Sequence, residues 1–250
     1  MVEALLSFNL SSDFAIFRDE SITTSHTSYV IPSKTTIIGL IAAILGITRK
    51  NSFKMSTINE IYSKEYLELF KNIKIGIKVL NNDILKTTLF TNNVSLKENK
   101  TKPFKKELLT NPKYNIFIFG EKEILNNIYK KISNSEFKYT PFLGNAYCIA
   151  KIRNPKFLEF KRSENLKGKL TSAVIIDSQL SLNPTVENSK VVIENHLHLS
   201  VNDNNVITRK TLNFWIPIGE DKKMRISKYE KNEDATFLEI LDWEEVICVY

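Results

Sequence analysis

Residues 29–47 read YVIPSKTTIIGLIAAILGI, and their punctuation decides how the first half of the chain folds. Pro32 lacks an N–H and disfavours helical dihedrals at Ile31, so the lead-in is extended. A helix starts near Ser33, with Ser33 or Thr35 offering an oxygen to a free backbone N–H. Ile37, Leu40, Ile41, Ile44 and Leu45 form a broad apolar face. Gly39, Ala42 and Ala43 are small enough to let another element come close. Gly46 or the turn after it ends the helix. Just upstream, residues 21–28 read SITTSHTS. A hydroxyl-rich loop beside a helix N-terminus suits phosphate oxygens, because hydroxyls and unpaired backbone N–H groups both donate to them and the helix end is positive. The candidate contacts are Thr23, Thr24, Ser25, His26, Tyr29, Ser33, Thr35 and Thr36, with Lys34 as the point charge. The plain alternative is a capped core helix after an ordinary loop.

Working outward, residues 3–10 (EALLSFNL) make a first strand, and residues 71–80 (KNIKIGIKVL) alternate as a half-buried strand does. Between them, residues 51–70 are irregular and then weakly helical. Residues 114–119 (YNIFIF) are a third strand, Gly120 opens a turn, and 121–132 (EKEILNNIYKKI) is an amphipathic helix whose acids lead and lysines trail. After a Pro-containing turn at 138–143, residues 145–153 read as a fourth strand. The order is β, α, β, arm, β, α, β, which matches a ferredoxin-like βαββαβ unit in an α+β chain. The arm, residues 81–113, carries Lys86, Lys97, Lys100, Lys102, Lys105, Lys106 and Lys113, and reads as a basic insertion. Residues 1–153 form this first domain. Residues 154–250 are β-rich: 154–169 are the linker candidate, 170–176, 190–201 and 206–216 are strands, Asn202 to Asn205 make a hairpin turn, and EEVICVY at 244–250 is a last strand.

Bulk properties narrow the function classes. The formal net charge of +7 is compatible with a nucleic-acid partner. Cys148 and Cys248 stand far apart, which suggests neither a disulfide framework nor a zinc site and fits a reducing cytoplasm. The opening MVEALLSFNL has no basic n-region, so no signal peptide is expected. The longest apolar run, 37–47, is far shorter than the roughly 20 residues a membrane-spanning helix needs. No cofactor or metal is expected. His196 and His198 share one face of a probable strand, but no further ligands of matching pattern accompany them. Residues 34–36 (KTT) lack the glycine frame of a phosphate loop. No catalytic constellation stands out. Phe14, Phe17 and Arg18 offer aromatic and guanidinium planes on which an unpaired base stacks, with Arg18 the strongest of the three and at least one Phe in the core. The lysines Lys102, Lys105, Lys106 and Lys113 are set to pair with phosphates, or else lie on a solvated loop.

Three segments also carry a family likeness: TSYVIPSKTTIIGLIAAILG at 27–46, KKELLTNPKYNIFIF at 105–119, and YTPFLGNAYCIAKI at 139–152. In that order they resemble the fifth Cas protein family, the small Cascade subunit of type I CRISPR systems. The short β-rich end is most similar to the type I-B and I-A branches. The resemblance implies an RRM-related fold of the repeat-associated mysterious protein superfamily and a role in antiviral defence. It implies binding of the 5′ handle of CRISPR RNA, contacts with the Cascade backbone and large subunits, and contact with target DNA only through the complex. Residues 81–113 take the position of the family's thumb. In the type I-C branch the family member cuts precursor RNA with a Tyr and a Lys-His pair. Tyr29 matches the aromatic, but Lys113 is followed by Tyr114 and no Lys-His dipeptide exists in the chain. A non-catalytic subunit is therefore the expectation. The alternative is a metal-independent endoribonuclease using Tyr29 or His26 with a lysine.

Overall fold

The computed structural model describes residues 2–19, 26–48, 62–95, 100–163, 170–176, 189–201, 207–222, 224 and 234–250. Strand β1 (Glu3–Ser11) is followed by the short β2 (Phe14–Ala15), helix α1 (Lys34–Leu45), helix α2 (Lys64–Asn72) and strand β3 (Ile73–Val79). Strands β4 (Leu85–Ser95) and β5 (Lys100–Thr110) lead to β6 (Lys113–Glu121), helix α3 (Lys122–Ser133) and β7 (Lys151–Leu158). The remainder is strand: β8 (Phe160–Arg162), β9 (Val174–Ile176), β10 (Ser189–Val201), β11 (Ile207–Gly219), β12 (Thr236–Ile240) and β13 (Glu245–Val249).

The central sheet has the order β3-β6-β1-β7, with each neighbouring pair antiparallel. Its connections place α1 between β1 and β3 and α3 between β6 and β7. Helix α1 forms where residues 29–47 predict. Ser33 is extended and its hydroxyl accepts the Thr36 N–H, while Gly46 takes the left-handed conformation and its N–H donates to the Ala42 carbonyl. Ile37, Ile38, Ile41 and Ile44 are fully buried, each worth about 1.5–3 kcal/mol of transfer free energy. They share a core with Leu6, Phe8 and Leu10 of β1, Ile116 and Ile118 of β6, and Leu125, Ile128 and Ile132 of α3.

The opposite face of the sheet is also covered. Leu5, Phe117, Phe119 and Leu158 pack on Leu238 and Ile240 of β12 and on Ile247 and Val249 of β13. Burial on both faces explains why residues 114–119 are almost continuously apolar instead of alternating. The last residues also reach the sheet edge. Tyr250 and Ile75 exchange two backbone hydrogen bonds of 2.9 Å. Gly76 permits that approach, since a Cβ there would lie 2.7 Å from the Cys248 carbonyl oxygen.

The basic arm is a hairpin, β4 paired with β5 from Leu85↔Thr110 to Ser95↔Lys100. β10 and β11 form a second long hairpin, with β9 on the far side of β11. Its predicted turn at 202–205 lies outside the described residues.

Three expectations are corrected. Gly120 is within β6, its backbone paired on both sides with Ala4 and Ile73, and it is glycine because a Cβ there would meet the Asn72 carbonyl oxygen at 2.7 Å. The fourth strand starts at Lys151, not at 145, because residues 141–150 fold on themselves through Leu143 N–H to Cys148 O and Ala150 N–H to Pro141 O. Residues 154–158 and 160–162 of the expected linker are strand: β7 pairs with β1 and β8 with β12. Pairing on existing sheet edges satisfies backbone groups that a solvated linker would leave to water.

Candidate nucleic-acid interface

A cleft of about 400 Å³ opens where the loop before α1 meets the helix N-terminus. Ile16, Phe17, Arg18, His26, Tyr29, Ser33, Thr35, Thr36, Gly144, Asn145 and His196 line it. Each wall has a local cause. Segments 16–19 and 26–29 run as a two-stranded ladder, with Tyr29 N–H donating to Phe17 O at 2.9 Å and Asp19 N–H to Thr27 O at 3.0 Å. The Ser28 hydroxyl accepts the Phe17 N–H at 3.0 Å. Arg18 therefore projects outward while Phe17 turns into the core against Tyr114. The Ile16 N–H donates to Leu143 O at 3.2 Å, which fixes the Gly144 turn beside the cleft. Gly144 has φ +89°, and a Cβ there would lie 1.8 Å from the Ile16 carbonyl oxygen, so only glycine fits.

The floor is built by helix and hairpin together. The Ser33 hydroxyl lies 2.8 Å from Thr35 Oγ1 and 3.0 Å from Thr36 Oγ1, a cluster of hydroxyls at the positive end of α1. The Tyr29 ring stacks on His196 of β10 at 3.9 Å between centroids and 23° between planes. The Tyr29 hydroxyl donates to Asp19 Oδ1 at 2.9 Å. His196 Nε2 lies 3.0 Å from Glu194 Oε2, and the Glu194 carboxylate also accepts the Val30 N–H. The Val30 carbonyl in turn accepts the Tyr114 hydroxyl at 2.6 Å. Burial and the nearby Glu194 carboxylate push the Tyr114 hydroxyl well above its ordinary range, so it stays a neutral donor.

The cationic side comes from Arg18 and the arm. His26 docks on β5 through its N–H to Lys105 O at 3.2 Å and its carbonyl to the Glu107 N–H at 2.7 Å. Its ring meets Phe104 edge-on at 4.5 Å. Partial burial, and then the positive charges of Arg18 and Lys106, lower the His26 pKa below the ordinary imidazole value. Ser28 N–H donates to Glu107 Oε1, and Lys86 Nζ donates to both Ser28 O and Glu107 Oε1 at 2.9 Å. Glu107 is held below its ordinary value because those bonds outweigh the burial that would raise it. The loop and the arm are thus bonded to each other at the cleft mouth.

Among the predicted site residues, Arg18, His26, Tyr29, Ser33, Thr35 and Thr36 meet at this cleft. Lys106 lies close enough to His26 to lower its pKa, and Lys105 is exposed next to it. Lys113 is exposed at the start of β6, its N–H bonded to Asn81 Oδ1. Thr23, Thr24 and Ser25 lie outside the described residues, as does the side chain of Lys102. Lys34 is not among the residues that line the cleft. Its amine sits 5.1 Å above the Phe70 ring, on the α2 side of the helix. Burial and the Lys74 amine hold it down at about 8.

Sequence reasoning missed His196, Glu194, Gly144 and Asn145. His196 and His198 do share one face of β10, but that face is buried, at 2% and 6% exposure. Gly144 had a signal, as a glycine in a turn. Among the described residues, no group of three or more His, Cys, Asp or Glu is placed to hold a metal, and no helix is long and apolar enough to cross a membrane.

A solved structure described as a CRISPR protein from Archaeoglobus fulgidus superposes over 99% of both chains with a TM-score of 0.61 at 14% identity. Another, described as a Cas protein, covers 58% of this chain and 59% of its own at 17% identity, with a TM-score of 0.39. A DNA-directed RNA polymerase subunit beta of Eimeria tenella is 44% identical over 82 residues, which is 31% of this chain. This chain spans 7% of that protein's length, so the match carries no functional argument. The family model described as CRISPR-associated protein (Cas_Cas5) matches residues 5–225. The chain belongs to the Cas5 family of CRISPR-associated proteins.

Proposed function

We propose that the chain is a non-catalytic, RNA-binding subunit of a type I CRISPR effector complex that grips the 5′ handle of the guide RNA. The observation that carries this reading is the cleft itself: Arg18, His26, Ser33, Thr35 and Thr36 converge on one opening of about 400 Å³ beside the basic hairpin. Hydroxyls and a helix N-terminus take phosphate oxygens, and an exposed guanidinium takes a phosphate or a base plane. The outer face of the central sheet is unavailable as a stacking platform, because β12 and β13 cover it. Recognition is therefore routed to the cleft and the arm. The β3-β6-β1-β7 unit is read as ferredoxin-like and RRM-related. The β4–β5 hairpin is the thumb that closes over RNA and meets the backbone subunit. Contact with the large subunit, action in the cytoplasm and placement near the type I-B and I-A branches complete the reading.

Three observations support the non-catalytic part. The chain has no Lys-His pair. The Tyr29 hydroxyl donates a hydrogen bond to Asp19. His26 is packed edge-on against Phe104. The decisive experiment uses the full chain in its assembled complex. Repeat-derived 5′-handle RNA is expected to bind more tightly than a scrambled RNA of equal length, and precursor repeat RNA is expected to stay intact. Equal affinity for the two RNAs sinks the handle assignment. Cleavage abolished by Tyr29→Phe with His26→Ala establishes the endoribonuclease instead.

A further inference from the structure

Residues 26–29 meet the arm in two different ways. At His26 the backbone bonds to β5 directly, its N–H to Lys105 O and its carbonyl to the Glu107 N–H. Two residues on, side chains take over. The Ser28 N–H donates to Glu107 Oε1 at 3.1 Å, and its carbonyl accepts Lys86 Nζ at 2.9 Å. Lys86 of β4 and Glu107 of β5 lie diagonally across the hairpin, since Lys86 pairs with Leu109 and Thr88 with Glu107, and their ion pair is 2.9 Å. Ser28 is only 4% exposed. On its other side it bridges Arg18, and its hydroxyl accepts the Phe17 N–H. One carboxylate thus stands between Arg18 on one side and Lys106 on the other. A negative charge there repels the phosphates that the two cations attract. Its sign is wrong for a ligand contact and right for a clasp.

We propose that Glu107 is a positioning residue for RNA: paired with Lys86, its carboxylate clasps the 26–29 loop to the arm and sets the spacing of Arg18 and Lys106. This rests on the reading of the cleft as RNA-binding. Lys86 then serves the clasp and does not neutralise a phosphate. Two cations already held at a fixed spacing receive the RNA backbone without ordering the loop at the moment of binding, so the clasp raises affinity by preorganisation.

The test uses the full chain with Glu107→Ala, Lys86→Met and the two combined. Affinity for 5′-handle RNA is read by fluorescence anisotropy over a salt series, and hydrogen exchange is read on the RNA-free proteins. Glu107→Ala is expected to weaken binding about tenfold, as loss of one charge-assisted hydrogen bond does. Removing a negative charge with no positioning role would instead tighten binding, and that result overturns the proposal. Lys86→Met is expected to weaken binding to a similar degree with the salt slope unchanged. A slope flatter by about 0.7 makes Lys86 a phosphate contact and also overturns it. The double variant is expected to lose no more than about twofold beyond the weaker-binding single variant, because both break one clasp, and fully additive losses separate the two residues and refute the clasp. In Glu107→Ala, the amides of residues 16–19 and 26–29 are expected to exchange faster while β1 and β6 keep wild-type protection. A merely structural role would speed exchange in β1 and β6 as well, and it too overturns the proposal, as does unchanged exchange in the loop. If Arg18→Ala and Lys106→Ala leave affinity untouched, the RNA reading of the cleft has failed and takes the RNA role of Glu107 with it. If they weaken binding and Glu107→Ala does not, the clasp alone has failed. Should Glu107→Ala not fold, Glu107→Gln keeps an acceptor for Ser28 but loses the ion pair, and is expected to weaken binding about threefold, with no loss counting against the clasp.

Discussion

The carboxylate of Glu194 accepts the Val30 N–H through both oxygens, at 2.7 and 3.0 Å, across 164 residues of sequence. Val30 is the residue at which the extended lead-in to α1 would otherwise carry an unpaired N–H, and its carbonyl is already taken by Tyr114. One carboxylate thereby ties the second hairpin to the entrance of the first helix. Removing it leaves a buried donor without a partner. Glu194→Ala is expected to cost about 1–3 kcal/mol in chemical denaturation, and Glu194→Gln distinctly less because the amide oxygen still accepts. Equal stability of Glu194→Ala and wild type would remove this linkage from the account.

Two glycines predict opposite outcomes for the same change. A Cβ at Gly144 would lie 1.8 Å from the Ile16 backbone oxygen at φ +89°, so Gly144→Ala is expected to destabilise by about 1–3 kcal/mol or more and to disrupt RNA binding with it. Gly39 sits within α1 with nothing within 4 Å of an added Cβ. Gly39→Ala is expected to stabilise by about 0.5–1 kcal/mol through the lower backbone entropy of the unfolded chain. Thermal unfolding of the pair checks both signs.

Salt dependence tests the charge contacts of Arg18 and Lys106. Each phosphate neutralised on a single strand contributes about −0.7 to the slope of log affinity against log salt. Arg18→Ala and Lys106→Ala are each expected to flatten that slope by about 0.7. Lys34→Met is expected to leave it unchanged, since Lys34 faces Phe70 and not the cleft. A flatter slope for Lys34→Met would restore it as a phosphate contact.

Lys34 and His198 make stability depend on pH in two windows, both from lowered pKa values. Lys34 titrates at about 8 in the fold, lowered by burial and then by Lys74 and opposed by Asp234, against 10.5 ordinarily. Between pH 8 and 10.5 the unfolded chain binds the extra proton, so stability rises with pH across that window. His198 is lowered to about 4 from 6.5 by burial and then by Lys34 and Lys210, opposed by Asp234. The unfolded chain protonates first there too, so stability falls as pH drops from 6.5 to 4. Lys34→Met is expected to gain stability at pH 7 and lose the alkaline rise. His198→Phe is expected to lose the acid fall. Unfolding profiles that run parallel to wild type would contradict both.

The elements of the first half were legible because local chemistry commits them. Pro32, Ser33 and Gly46 bound α1 by dihedral preference and capping, and the apolar periodicity of residues 37–45 sets its buried face. The alternation of 71–80 and the apolar run of 114–119 mark two strands, and the lysines of 81–113 mark a solvated insertion that forms the β4–β5 hairpin. The hydroxyls and Arg18 of the cleft were legible for the same reason, since they flank the helix start in sequence. Only the tertiary structure turned Lys34 away from that group. Its position in the first turn says nothing about which neighbour receives its amine, and the Phe70 ring of α2 does so. Only the tertiary structure brought His196 and Gly144 to the cleft, through strand pairing and a turn far along the chain, with Glu194 bonded to His196 and Val30. It also decided that β12 and β13 cover the outer face of the central sheet. Register and face are set by the partner strand and by burial, and neither is written in the residues of the strand that receives the cover.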